Sequence, residues 1–193
     1  MMPEANLKKL QLFHQMSVAK HWRRKLTKMA DPNILDPAWE HEMEPPFAVR
    51  ATRVGAQAGA TRLGATLYEL DPGGAVSPYH VHHANEEMLV VVAGHPSVRT
   101  PDGVRELEPG AVLAFPAGPD GAHRVFNDSD ASARVLIVST MVFPEVAEHL
   151  DSGAVLSMTA PGQSKVFPHG TEVGILDALL RAMAIGAERD LGA

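Results

Sequence analysis

The sequence predicts an all-β domain of the sandwich, jelly-roll or barrel type, and three observations predict it. Between residues 47 and 143 short apolar or alternating runs follow one another at close spacing, with turn signals between them. The 16 Gly and 15 Pro are spread along the chain as punctuation. Helix formers do not dominate the middle of the chain, which argues against alternating strand–helix units.

Taken in order, the elements begin with a basic leader. Residues 1–28 hold seven basic residues (Lys8, Lys9, Lys20, Arg23, Arg24, Lys25, Lys28) against one acid, Glu4. They lack the continuous apolar run and small-residue cleavage site of a secretory signal. Their composition overlaps with that of transit peptides, and Leu7, Leu10, Phe13 and Val18 lie roughly on one side of an amphipathic helix. The simpler expectation is a loosely ordered extension, or an upstream stretch before a start at Met29. Residues 29–46, rich in Pro and acids, read as an extended arm leading into the fold.

Nine candidate strands follow: Phe47–Val54, Arg62–Leu70, Val76–Val81, Glu87–Ala93, His95–Thr100, Gly103–Leu107, Ala111–Phe115, His123–Asn127 and Arg134–Val142. Turn sequences at residues 71–74, 101–103, 108–110, 116–121 and 127–130 separate them. Residues 144–193 read as a C-terminal extension. Its end carries Ile175, Leu176, Leu179, Leu180 and Met183 at helical spacing, which predicts an amphipathic helix packed on the β body or on a second subunit.

Composition excludes several functions. The 193 residues contain no cysteine, so disulfides, zinc–thiolate sites and thiol nucleophiles are ruled out. No stretch approaches the length of a membrane span. The net charge is −6, and because the leader carries +6, the remaining body carries −12. An acidic body with only ten aromatic residues is a poor match for nucleic acid.

The chemistry concentrates at residues 73–94. His80 and His82 are two apart, so on a strand both imidazoles leave the same face and reach one point. Glu86 and Glu87 open the apolar run that follows. If the chain turns back after His82, a carboxylate from the next strand faces the two imidazoles, a donor set suited to a borderline divalent metal. His123, after a Gly/Pro-rich loop, offers a third nitrogen from the opposite side of a barrel mouth.

Two spaced patterns run through these residues. Gly74, His80, His82, Glu87 and Gly94 form the first; Gly110, Pro116, Gly118, His123 and Asn127 form the second, with four residues rather than two between Gly118 and His123. On these the sequence resembles the cupin superfamily, and its wording is similar to small single-domain bacterial cupins. The resemblance implies a double-stranded β-helix over about residues 47–143. It also implies one metal ion (Fe, Mn, Zn, Ni, Co or Cu) held by His80, His82, Glu87 and His123, and a homodimer. It supplies no reaction, since the fold hosts many.

Spacing to Gly94 and the shared face of Glu87, Leu89, Val91 and Ala93 favour Glu87 over Glu86 as the acidic ligand. His83 points away from the centre as a loop residue. Asn127 ties a turn, and Arg124 points opposite to His123. Tyr79, Arg62 and Arg124 are candidate neighbours of the site. His14, His21, His41, His95, His149 and His169 stand alone and read as surface residues. Leu89, Val91, Leu113, Phe115 and Val125 are expected to line a dry pocket.

Three imidazoles and one carboxylate leave a divalent centre at about +1, which favours a small anionic or vicinal-oxygen ligand. The expected function is a metal-dependent enzyme on such a molecule, with a dioxygenase-type reaction ahead of an isomerase type. Tyr79 and Glu86 are the candidate general bases. The alternative is a non-catalytic metal-binding, ligand-binding or ligand-sensing protein. The expected location is the cytoplasm.

Overall fold

A computed structural model describes residues 31–182. The expectations for residues 1–28 therefore lie outside the described residues, as does Met183 of the terminal helix. Among the described residues thirteen strands form three antiparallel sheets, and no helix is long and apolar enough to cross a membrane.

The six-stranded sheet runs in the order β1 (His41–Met43), β2 (Val49–Thr52), β3 (Gly64–Leu70), β10 (Ala133–Ser139), β5 (Glu87–Ala93), β8 (Val112–Phe115). A second sheet has the order β13 (Gln163–Phe167), β12 (Ala154–Ala160), β11 (Glu145–His149), β4 (His80–His82). The third is β7 (Gly103–Glu106), β6 (Ser97–Thr100), β9 (Arg124–Phe126). A four-residue helix α1 (Val54–Gln57) and a 3-10 turn at Pro119–Gly121 complete the elements that begin and end among the described residues.

The alternation read from the sequence becomes burial. In β10, Ala133, Val135 and Ile137 are buried and the residues between them are less so. In β5, Leu89 and Val91 are buried while Met88 is exposed. The main core joins Val49, Leu70, Leu89, Val91, Val135 and Ile137 of the large sheet to Val98 and Val125 of the small one, with Leu107 and Phe115.

Three expectations change. The arm at 29–46 is not merely a lead-in, because His41–Met43 pairs with β2 and edges the large sheet. The barrel does not close at residue 143. Residues 144–193, read as an extension, supply β11, β12 and β13, and β11 pairs with the histidine strand β4. The terminal helix, present from 175 to 182, does not pack on the β body: Ile175, Leu176, Leu179 and Leu180 are all exposed.

Two motif glycines are held by close backbone approach. A Cβ on Gly74 would lie 2.4 Å from the Ala48 carbonyl oxygen. Gly94 has φ +74°, and its Cβ would lie 2.7 Å from Ala133 Cα.

Candidate functional site

The short HVH strand β4 has partners on both sides. His80 pairs with His149 of β11, and His80 and His123 exchange backbone hydrogen bonds (3.1 and 2.9 Å) that tie the second sheet to the third. Strand alternation then sends the side chains of His80 and His82 to one side, with Val81 buried on the other. Glu87 enters from the start of β5, and His123 from the residue before β9.

These four side chains come together. Ligating atoms of His80, Glu87 and His123 all lie within 4.8 Å of one another. His82 Nε2 is 3.0 Å from His80 Nε2 and 3.6 Å from Glu87 Oε2. His123 Nε2 is 3.2 Å from the same carboxylate oxygen. Glu86 is exposed and takes no part, and His83 turns outward to Glu148 at 2.9 Å, both as the strand parity requires.

The outer ring nitrogens explain the orientation. His80 Nδ1 meets the Pro78 carbonyl at 2.9 Å, and His123 Nδ1 meets the Gly121 carbonyl at 2.9 Å. A carbonyl only accepts, so each Nδ1 carries a proton, and each ring turns its Nε2 toward the centre. The Phe115 ring stacks on His123, centroids 3.8 Å apart and 5° from parallel. His82 Nδ1 is buried without a hydrogen-bond partner, 3.8 Å from Glu145 Oε2.

Electrostatics follow burial and neighbours. Burial drives the His80 pKa down to about 3, helped by the His123 and His82 rings, so this imidazole is neutral. Burial opposes ionisation of Glu87, but the surrounding His123, His82 and His80 outweigh it and hold the carboxyl below its ordinary range. For His82, burial acts against the charged form while Glu145 and Glu87 pull its pKa upward and prevail.

Glu145, Tyr68 and His149 were missed in the sequence. Glu145 is fully buried and accepts from the backbone N–H groups of His83 (3.0 Å) and Ala84 (3.2 Å) and from the Asn85 side-chain amide. Burial works against its ionisation, yet His82, Asn85 and Ala84 bring its pKa to about 2. His149, read as a surface residue, is half-buried and faces His80 with ring centroids 6.3 Å apart. Burial, then His82, keeps its pKa low. The alternation Glu145–Ala147–His149 was a period-2 signal; what was lacking was a reason to place it opposite β4.

The four side chains stand in a cavity of about 290 Å³. Its walls come from Tyr68, Val125, Ile137, Leu156, Met158 and Val166, among others. Of the residues expected to line it, only Val125 does; Leu89, Val91 and Phe115 belong to the closed core, and Leu113 packs against it. Tyr68 is half-buried on the cavity wall, and its hydroxyl is held protonated, first by desolvation and then by the nearby Glu87 charge. Tyr79 is not a site base: it lies outside the cavity under the Arg99 guanidinium, 3.9 Å from its ring centroid. Arg62 is exposed, and Arg124 lies over the Phe126 ring. Asn127 is buried and ties its turn, donating to the Leu70 and Ala131 carbonyls and accepting from Ser129.

Residues 66–139 match the family model described as the cupin domain, and the fold and this histidine–carboxylate cluster agree with that match. It is similar to the crystal structure of a sugar phosphate isomerase of the cupin superfamily from Silicibacter pomeroyi DSS-3, with 27% identity and a TM-score of 0.61. That match covers 66% of this chain and 82% of the other. A protein from Acidithiobacillus ferrooxidans ATCC 23270, provisionally assigned as a sugar phosphate isomerase, is 20% identical with a TM-score of 0.62. It covers 71% of this chain and 87% of its own, and shows the fold alone. No curated protein matches the chain.

Proposed function

We propose that His80, His82, Glu87 and His123 hold one divalent cation, and that the protein is a metal-dependent enzyme acting on a small oxygen-bearing organic molecule. The observation that carries this reading is the convergence of acceptors. Two Nδ1 protons are committed to carbonyls, so the Nε2 atoms of both rings are left facing a carboxylate and one another. Such an arrangement is electrostatically unfavourable unless protons or a cation fill it, and burial keeps His80 from taking the proton. The unpartnered Nδ1 of His82 belongs to the same pattern, with Glu145 behind it as the group that orients its ring.

A divalent ion there supplies Lewis acidity, or dioxygen chemistry if it is iron. The protein's own part is to fix the ligand nitrogens through Pro78, Gly121 and Glu145, to exclude water with apolar walls, and to orient the substrate beneath Tyr68. An oxidative cleavage suits these walls best. Of the titratable groups there other than the four proposed ligands, Tyr68 is held protonated, which leaves His149 as the one candidate proton carrier among the described residues. The second reading is isomerisation with His149 in that role, favoured by the 27% identity to an isomerase.

The test is elemental analysis of the purified chain, followed by oxygen uptake with diketones, catechols and thiol acids. His80→Ala, His82→Ala, Glu87→Ala and His123→Ala are each expected to lose stoichiometric metal while keeping the β circular-dichroism spectrum. Variants that retain one metal per chain overturn the ligand set. Metal-loaded protein that consumes no oxygen but interconverts a hydroxycarbonyl substrate selects the isomerase reading.

A further inference from the structure

The wall of the cavity carries an inference about what it accepts, and it rests on the proposed metal reading for the chelating end of the ligand. Among the described residues that line the cavity there is no lysine or arginine. Of the cations close to the lining in sequence, Arg124 lies over the Phe126 ring, Arg50 and Arg134 both bind Glu69, and Arg62 and Lys165 are exposed, Lys165 between the lining residues Ser164 and Val166 on β13. The neutral donors that remain are hydroxyls and amides, among them Tyr68, Ser77, Ser139 and Gln163.

With no lysine or arginine on the described lining, a phosphate dianion would enter with no countercharge beyond the proposed ion itself. Apolar side chains supply much of the lining, among them Val125, Ile137, Phe143, Leu156, Met158 and Val166. A volume of about 290 Å³ admits a small molecule. We infer that the site takes a small neutral or singly charged oxygen chelator with an apolar body, such as a 1,3-dicarbonyl, and that it discriminates against phosphate esters. The chain thus shares a fold with a sugar phosphate isomerase while lacking, among its described lining residues, the cationic groups that would hold the phosphate.

The experiment measures equilibrium binding to the full chain by calorimetry, with and without added divalent metal. The probes are pentane-2,4-dione, ribose 5-phosphate and inorganic phosphate. In the metal-loaded protein the dione is expected to bind at least tenfold more tightly than ribose 5-phosphate, and ribose 5-phosphate no more tightly than inorganic phosphate. A smaller ratio, or no saturable dione binding, overturns the inference. If elemental analysis shows that the chain retains no metal, the ligand reading fails separately. The apolar wall is then tested on metal-free protein, where saturable ribose 5-phosphate binding tighter than that of the dione overturns it and the reverse order supports it.

Discussion

Replacing Glu145 by alanine is expected to destabilise the fold more than removal of any of the four central side chains. Glu145 is fully buried and serves three donors besides standing behind His82. Two of those donors keep a second acceptor: His83 N–H reaches the Val146 carbonyl at 2.9 Å, and the Asn85 amide reaches the Val142 carbonyl at 3.0 Å. The Ala84 N–H has only Glu145 among its described hydrogen bonds. Stranding that donor costs about 1–3 kcal/mol, and weakening the other two about 0.5–1 kcal/mol each. With about 1 kcal/mol for the cavity left by the shortened side chain, the sum is about 3–6 kcal/mol. For a chain of this size that lowers Tm by roughly 6–24 °C. Glu145→Gln keeps the volume and one acceptor oxygen and should lose only about 1–2 kcal/mol. Urea titrations and thermal melts of both variants measure the difference. A loss under about 1 kcal/mol for the alanine variant would refute the assignment of Glu145 as the anchor of the 83–85 turn. If Glu145 also orients His82, the glutamine variant should weaken metal retention by about 10–100-fold while remaining folded.

Other outcomes follow from the same structure. Asn127→Ala removes two donated and two accepted hydrogen bonds inside a buried turn and should cost about 2–4 kcal/mol in a urea titration, with metal content unchanged. Gly94→Ala forces a left-handed φ of +74° on a side chain whose Cβ meets the Ala133 backbone at 2.7 Å; about 2–4 kcal/mol of lost stability is expected, and a melt unchanged within 1 °C would contradict it. Glu40, despite some burial, is held below the ordinary carboxylate range by Arg53 at 3.0 Å and Gln57 at 3.2 Å. Because its folded pKa lies below the unfolded value of 4.5, its contribution is complete above that pH and is lost as pH falls through the folded value. Comparing Glu40→Gln with the parent from pH 7 down to pH 3 should show a gap of at most about 1 kcal/mol near neutrality that closes in acid.

Much of the site could be read from local pattern. A strand's period of two places His80 and His82 on one face whatever the rest of the chain does, and the same rule separates Glu87 from Glu86 and turns His83 outward. The glycines at 74 and 94 stand out in the sequence by their spacing, and the backbone approach that holds them is seen only in the fold. The absence of cysteine and the lack of a long apolar run are properties of composition and need no fold. The sequence alone therefore determined an all-β body and the imidazole pair, along with the carboxylate nearest to it.

Tertiary structure decided what those groups face. Alternation in Glu145, Ala147 and His149 shows that the three share a side, but not that β11 pairs with β4 and so carries Glu145 to His82 and His149 to His80. It likewise shows that Leu89 and Val91 point inward, but not that inward at their level means a closed core while the open cavity is walled by β12 and β13. The terminal helix has an apolar stripe in sequence, yet nothing local reveals that the β body leaves it uncovered. The physical reason is the same in each case. Side-chain periodicity is fixed by the backbone of one strand, whereas the partner across the barrel is chosen by pairing and packing between segments far apart in the chain.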